Sequence, residues 1–287
     1  MRLELQRCRL MVEKRLDDFF TERKSYAGLL ESMRYSLLAG GKRIRAVVCL
    51  KFCEAAGGRV EEALDAACAI EMLHAYTLIH DDLPCMDNDD MRRGKPSNHI
   101  RFGEFTATLA GDALQAAAFD TILGSKLPPG TVVRMGRLLA QAAGPYGMCA
   151  GQYLDMQEKR LETEGLAVVH GLKTAALISA AARIGVLAAG GSDEQIKAAE
   201  DYANAAGLAF QVRDDVLDYT ATTEEIGKPT GSDRANDKTT FAALMGLDEC
   251  EEVIRKETEK AILAVNCKFG NADFLVWLAR MLAERRN

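Results

Sequence analysis

The sequence predicts an all-α fold, a large bundle of long helices around a central cavity, on three observations. Alanine, leucine, glutamate, lysine, methionine and arginine abound, while proline occurs only 6 times in 287 residues; that composition favours helix throughout. Apolar residues recur at helical spacing in one segment after another, and no stretch alternates as a strand does. Glycine- and proline-rich pieces punctuate the helical runs.

Taken in order, helical periodicity predicts helices at about 3–20, 26–39, 43–56, 61–82, 103–123, 130–156, 170–189, 193–219, 248–265 and 272–285, with a shorter one over 234–245. The breaks fall at Gly40-Gly41, Gly57-Gly58, Gly94-Lys95-Pro96, Pro128-Pro129-Gly130, Gly190-Gly191-Ser192 and 227–232. Several runs exceed twenty residues, which suits a wide bundle. No linker or compositional break divides the chain, so residues 1–287 are expected to form a single domain.

The net charge of -6 argues against a general nucleic-acid binder, which needs a basic face for phosphates. It leaves room for local basic pockets. The first residues, Met1-Arg2-Leu3-Glu4-Leu5-Gln6, lack the apolar core of a signal peptide. The most apolar run, 175–190, is interrupted by Arg183 and reads as a buried helix rather than a membrane span. The expectation is a soluble, cytoplasmic protein. The 8 cysteines show no metal-site or disulfide spacing and are expected to be reduced core thiols.

Two acidic clusters carry the chemistry. The first, Asp81-Asp82-Leu83-Pro84-Cys85-Met86-Asp87, follows the apolar run 66–79 and precedes Arg92-Arg93-Gly94. The second is Phe210-Gln211-Val212-Arg213-Asp214-Asp215-Val216-Leu217-Asp218. Carboxylates against apolar helix are expensive unless a cation compensates them. Asp214 and Asp218, four apart, share one helix face, with Asp215 beside them and Gln211 a turn earlier. Asp87 would face away from Asp81 on an unbroken helix, but Pro84 permits an altered end that swings it back. Such oxygens suit magnesium, whose remaining octahedral positions take water and phosphate oxygens.

The counter-charges are Lys42, Arg43, Arg45, Arg92, Arg93, Lys173, Lys228 and Lys238. Grouped near glycines and acidic motifs, they make plausible diphosphate clamps, with arginine supplying bidentate geometry. His74, seven residues before Asp81, returns to nearly the same helical face. Magnesium holding a diphosphate between facing helices suits an enzyme that ionises an allylic diphosphate.

These residues resemble the trans-isoprenyl diphosphate synthases, and most closely the bacterial farnesyl diphosphate synthases. The resemblance runs from Leu37-Leu38-Ala39-Gly40-Gly41-Lys42-Arg43-Ile44-Arg45 through Glu71-Met72-Leu73-His74 and the first aspartate motif. It continues through Leu109-Ala110-Gly111-Asp112-Ala113-Leu114, Gly151-Gln152-Tyr153-Leu154-Asp155, Lys173-Thr174, the second aspartate motif, and Gly227-Lys228 to Asp237-Lys238. It implies the isoprenoid synthase fold, a homodimer and three magnesium ions per site. By resemblance Asp81 and Asp87 ligate two ions, with Asp82 in support, and Asp214 ligates the third, helped by Asp215 and Asp218. Arg92, Lys173 and Lys238 clamp the allylic diphosphate with Lys228 nearby. Lys42, Arg43, His74 and Arg93 form the isopentenyl diphosphate pocket, and Thr174 and Gln211 stabilise the carbocation. Two departures are Ala46, where many relatives carry proline, and Phe241, often tyrosine.

The implied reaction is head-to-tail condensation. Diphosphate leaves the allylic carbon, stabilised by metal and basic side chains. The double bond of isopentenyl diphosphate attacks the cation in a dry cavity, and a proton leaves to the departed diphosphate. Dimethylallyl diphosphate gives geranyl diphosphate, and a second cycle gives farnesyl diphosphate. Tyr76 lies five residues before Asp81, about 7.5 Å along the axis but some 140° away in phase, so periodicity alone reads it as wall packing. The resemblance makes it the floor of the chain cavity and favours the fifteen-carbon product; geranylgeranyl synthesis is the alternative, with a terpene cyclase or a non-catalytic partner subunit further behind. A glycine-rich charged connector over 228–237 is expected to act as a lid.

Overall fold

The structure, a computed structural model, describes residues 1–22, 24–157, 162–220 and 239–285. It is all-α apart from one two-residue antiparallel pair, and it has the isoprenoid synthase architecture. The chain runs α1 (Arg2–Asp17), α2 (Ala27–Leu37), α3 (Ile44–Ala55), a short 3-10 turn (Val60–Ala63) and α4 (Leu64–Asp81). A hairpin of β1 (Met91–Arg92) and β2 (Lys95–Pro96) leads into α5 (Asn98–Phe102) and α6 (Glu104–Leu123). Then come α7 (Pro129–Ala143), α8 (Met148–Gln157), α9 (Thr163–His170), a π-helical turn (Gly171–Ala175) and α10 (Ala176–Ala188). The remaining described helices are α11 (Asp193–Thr220), α12 (Phe241–Met245), α13 (Leu247–Asn266) and α14 (Asp273–Ala283).

Three helices form the interior. In α3 every residue from Ala46 to Cys53 is buried, and in α4 so is every residue from Ala66 to Leu73. A helix apolar all round has no face for water and belongs inside. The third, α10, buries Ala180–Ala182 and Ile184–Ala188 and packs against α3, α7 and α11. Each large side chain fully buried there, such as Ile70, Met72 or Leu73, contributes on the order of 1.5–3 kcal/mol. The long α6 and α11 flank α4 and α10, and α13 closes over α11.

Most predicted runs appear within two or three residues. The run 130–156 is instead two helices, because Gly144-Pro145-Tyr146-Gly147 interposes a residue with no amide hydrogen and a turn in which Gly147 bonds back to the Gly144 carbonyl at 3.0 Å. The run 170–189 starts earlier than expected, at Thr163, with the π-helical turn inside it. Of the run 234–245, only its last part lies among the described residues, as α12.

The rod from Thr163 to Ala188 is long and apolar enough to cross a bilayer. It is packed in the bundle instead, and its interrupting charge, Arg183, pairs with Glu200 of α11 at 3.0 Å. All the cysteines are free, but only Cys8, Cys49, Cys53, Cys68 and Cys250 are buried. Cys85, Cys149 and Cys267 are exposed, which corrects the expectation of core thiols throughout.

Candidate active site

The first acidic cluster is shaped by the way α4 stops. Pro84 cannot donate to the helical ladder, and the chain curls: the Leu83 amide bonds the His80 carbonyl at 3.2 Å, and the Met86 and Asn88 amides both return to the Leu83 carbonyl. The Asp87 amide then donates to the Asp81 carbonyl at 2.9 Å. Two carboxylates six residues apart are thereby brought to one place. Burial pushes the Asp81 carboxyl up to about 6, opposed by Lys173 and reinforced by Asp87. Asp82 is 2% exposed and accepts from Arg92 Nε at 2.9 Å, while Arg92 also reaches Asp89 at 3.1 Å.

Lys173 sits in the π-helical turn, a widened helical geometry common at functional positions. Its Nζ donates to Asp155 Oδ2 of α8 at 2.7 Å, and its charge also acts on Asp81. Gly151 makes this approach possible: a Cβ there would lie 2.3 Å from the Lys173 backbone nitrogen. Thr174 follows Lys173 in the same turn.

A separate basic cavity of about 1040 Å³ lies among α1, α3, α4, α11 and α14. Lys42, Arg45, His74, Arg93 and Arg285 line it. Arg45 Nη1 and Arg93 Nη2 approach His74 Nε2 at 3.3 and 3.5 Å, and Arg93 also donates to the Gly40 carbonyl. Burial, with Arg45 and Arg93 adding to it, holds the His74 imidazole well below the usual histidine range. A neutral ring can accept from those guanidiniums, where a charged one would repel them.

Arg43 is held differently from its neighbours. It lines the cavity, but its Nη1 pairs with the buried Glu71 at 3.0 Å and its Nη2 donates to the Leu37 carbonyl at 2.6 Å. Those nitrogens hold α2, α3 and α4 together. The basic cluster takes Arg45 instead. Glu71 also accepts from the Ala46 amide at 3.3 Å, a donor that proline at this position could not supply.

On α11, Asp214 and Asp218 are both half-buried, and Gln211 lies a turn before Asp215. Asp214 pairs with Arg285, whose guanidinium stacks over Phe210 at 4.1 Å. Asp215 is buried and accepts from the Phe241 amide at 2.7 Å, tying α12 to α11. Phe241 keeps its ring, which stacks on His170 at 5.5 Å. Tyr76 is 7% exposed and lies edge-on to His80 at 5.6 Å, and burial raises its phenol above the usual tyrosine range. Lys228, Lys238 and the connector 228–237 lie outside the described residues.

Asp155, Glu71 and Arg285 carry contacts that the sequence reading assigned to no role. Asp155 stood inside a quoted motif, and its partner Lys173 was named, so their opposite charges were the available signal. Among the described residues no three His, Cys, Asp or Glu side chains converge to hold an ion unaided. The donor set nevertheless fits magnesium, which takes one or two carboxylates and completes its shell with water and phosphate oxygens. The Asp81 carboxyl is raised chiefly by burial, with Asp87 and then Asp82 adding to it against Lys173 and Arg92.

Residues 27–269 match the polyprenyl synthetase family model. The chain belongs to this family, whose members are trans-prenyltransferases acting on isoprenoid diphosphates. It is 47% identical over 268 residues to geranylgeranyl pyrophosphate synthase 3, chloroplastic, of Arabidopsis thaliana, an alignment covering 90% of this chain and 74% of the relative. It is 42% identical to the chloroplastic geranylgeranyl pyrophosphate synthase of Capsicum annuum, covering 97% and 77%. The crystal structure of an FPP/GFPP synthase from Zymomonas mobilis superposes with a TM-score of 0.86 at 31% identity, over 99% of this chain and 100% of that one.

Three expectations fall with these findings. The likeness to bacterial farnesyl diphosphate synthases is outweighed, since the plant geranylgeranyl enzymes are similar at markedly higher identity over nearly the whole chain. The fifteen-carbon product, inferred by resemblance from Tyr76 together with the two extra residues in the first aspartate motif, is overturned by the same relatives. The cytoplasmic assignment is overturned because both plant relatives are chloroplastic.

Proposed function

We propose that the protein is a magnesium-dependent prenyltransferase that adds isopentenyl diphosphate head-to-tail to dimethylallyl, geranyl and farnesyl diphosphates and stops at geranylgeranyl diphosphate. One observation carries the chemistry. Adjacent arginines divide between two clusters, Arg92 toward the carboxylates at the end of α4 and Arg93 toward the His74 cavity. Two diphosphates side by side need that division.

On this reading Asp81, Asp87 and Asp214 hold magnesium, which when bound neutralises the departing diphosphate. Lys173, kept in place by Asp155, and Arg92 bind the allylic diphosphate. Lys42, Arg45, His74 and Arg93 bind isopentenyl diphosphate, with Arg45 replacing Arg43. Thr174 and Gln211 face the carbocation with oxygen dipoles, and the departed diphosphate accepts the final proton. Asp82 orients Arg92; Asp215 and Asp218 support the second motif, and Lys228 and Lys238 complete the allylic clamp by resemblance.

The twenty-carbon product rests on the plant relatives. On this reading Tyr76 is wall packing on α4 and does not set the product length. Supplying farnesyl diphosphate as the only primer, with labelled isopentenyl diphosphate and magnesium, tests this. Incorporation of label is expected; a protein that leaves farnesyl diphosphate unextended would refute the reading.

A homodimer is also proposed. Phe105 and Leu109, one turn apart on α6, are 76% and 44% exposed, an apolar pair that a second copy would cover. Sedimentation velocity should show a dimer for the natural protein and a monomer for Phe105→Glu; unchanged sedimentation would remove this face from the interface.

A further inference from the structure

Arg92 and Arg93 can serve two clusters because the chain turns sharply at Arg93, directly after β1. Arg93 and Gly94, the central residues of the turn, have φ of 53° and 72°. Positive φ at both positions is the pattern of the tight hairpin turn, and a long side chain seldom adopts it. Such strain persists where the surroundings over-determine it.

The surroundings here are polar and come mostly from α2. At the base of the hairpin the Ser97 amide donates to the Asp90 carbonyl at 2.8 Å. Tyr35 Oη donates to the Pro96 carbonyl at 2.8 Å. Asn98, 2% exposed, is the hub. Its Oδ1 accepts from Ser32 Oγ at 2.7 Å, and its Nδ2 donates to the Ser32 carbonyl at 2.9 Å and to Ser36 Oγ at 2.8 Å. Three hydrogen bonds from one buried amide fix the segment that leaves β2 against α2.

We propose that Asn98, through Ser32 and Ser36 and assisted by Tyr35, is a positioning residue for the two arginines, holding the strained turn so that Arg93 stays in the isopentenyl diphosphate cavity. Asn98 itself touches no substrate, and the inference rests on the diphosphate reading above. The two arginines depend on the clasp unequally. Arg92 is also braced by Asp82 and Asp89. Arg93 has a neutral imidazole and one backbone carbonyl, and no carboxylate within ion-pair distance appears among its described contacts. With the turn loosened, Arg93 is drawn toward the acidic residues of its own loop and leaves the cavity.

The test compares Asn98→Ala with the natural protein, at a temperature well below the measured Tm of both. The expected result is a rise of roughly tenfold in KM for isopentenyl diphosphate, the effect of losing one charge-assisted contact. KM for the allylic primer and kcat should change by less than about threefold. Asn98→Asp, which turns a carboxylate oxygen toward the Ser32 carbonyl in place of a donor, should raise the same KM at least as much as Asn98→Ala. If Asn98→Ala fails to fold, Ser36→Ala and Tyr35→Phe each remove one bond and should raise the same KM by a smaller factor. A lowered Tm with unchanged KM for isopentenyl diphosphate in all foldable variants overturns the inference and leaves the clasp purely structural. Should the natural protein itself show no elongation, the diphosphate reading fails first; should it elongate while the variants match it, only the clasp is wrong.

Discussion

The amide of Asp87 donates to the carbonyl of Asp81 at 2.9 Å, and this backbone contact brings the first and last aspartates of the first acidic cluster together. Neither residue could reach the other on a continuing helix. The loop closes because Pro84 ends the ladder and Leu83 offers its carbonyl to two returning amides. Burial, with Asp87 adding to it and Lys173 opposing, raises Asp81 to about 6.

That rise sets a pH dependence for the metal-free protein. Burial is its main cause, with Lys173 opposing and Asp87 adding. A carboxyl raised from 3.8 to about 6 on folding keeps a proton that the unfolded chain has lost. Stability contributed by this group therefore falls as pH rises from about 4 to about 6. The ceiling on the effect is about 3 kcal/mol by the standard conversion, less for a side chain that water still reaches. Urea denaturation across that window should show the slope, and Asp81→Asn should flatten it; equal slopes in both proteins would contradict the assignment.

Arg43 and Arg45 separate cleanly by variant. Arg43→Gln leaves Glu71 buried without its partner, at a cost of about 3–5 kcal/mol. Its signature is a lowered Tm with little change in KM. Arg45→Gln should raise KM for isopentenyl diphosphate about tenfold while Tm holds. Steady-state kinetics beside calorimetry decide this, and the reverse pattern would restore Arg43 to the pocket.

Asp155→Asn removes the charge that holds Lys173 at 2.7 Å. Misplacing a clamp by about an ångström costs up to about 100-fold in rate. We expect kcat/KM for the allylic primer to fall by 10- to 100-fold with KM for isopentenyl diphosphate unchanged. Equal losses for both substrates would mean that Asp155 supports the whole site.

The sequence made the charges legible but not their partners. The helix phase of Asp214 and Asp218 and the turn at Pro84 follow from local chemistry, and both appear in the structure. Arg43 and Arg45 could not be told apart, because the choice depends on Glu71, 28 residues beyond Arg43 and buried on another helix. Asp155 escaped for the same reason, its partner Lys173 lying in the turn between α9 and α10 that no local signal marks as π-helical. Periodicity missed the break at Pro145 by weighing apolar spacing over the absent amide. Product length was the least legible feature. It was inferred from Tyr76, whose phase against Asp81 gave no support, and similarity along the whole chain overturned it.

The most direct measurement incubates the protein with magnesium, dimethylallyl diphosphate and labelled isopentenyl diphosphate and separates the dephosphorylated products by length. Geranylgeraniol as the dominant product is the result predicted here. Farnesol that accumulates and is not consumed would contradict the account and return Tyr76 to the floor of the cavity.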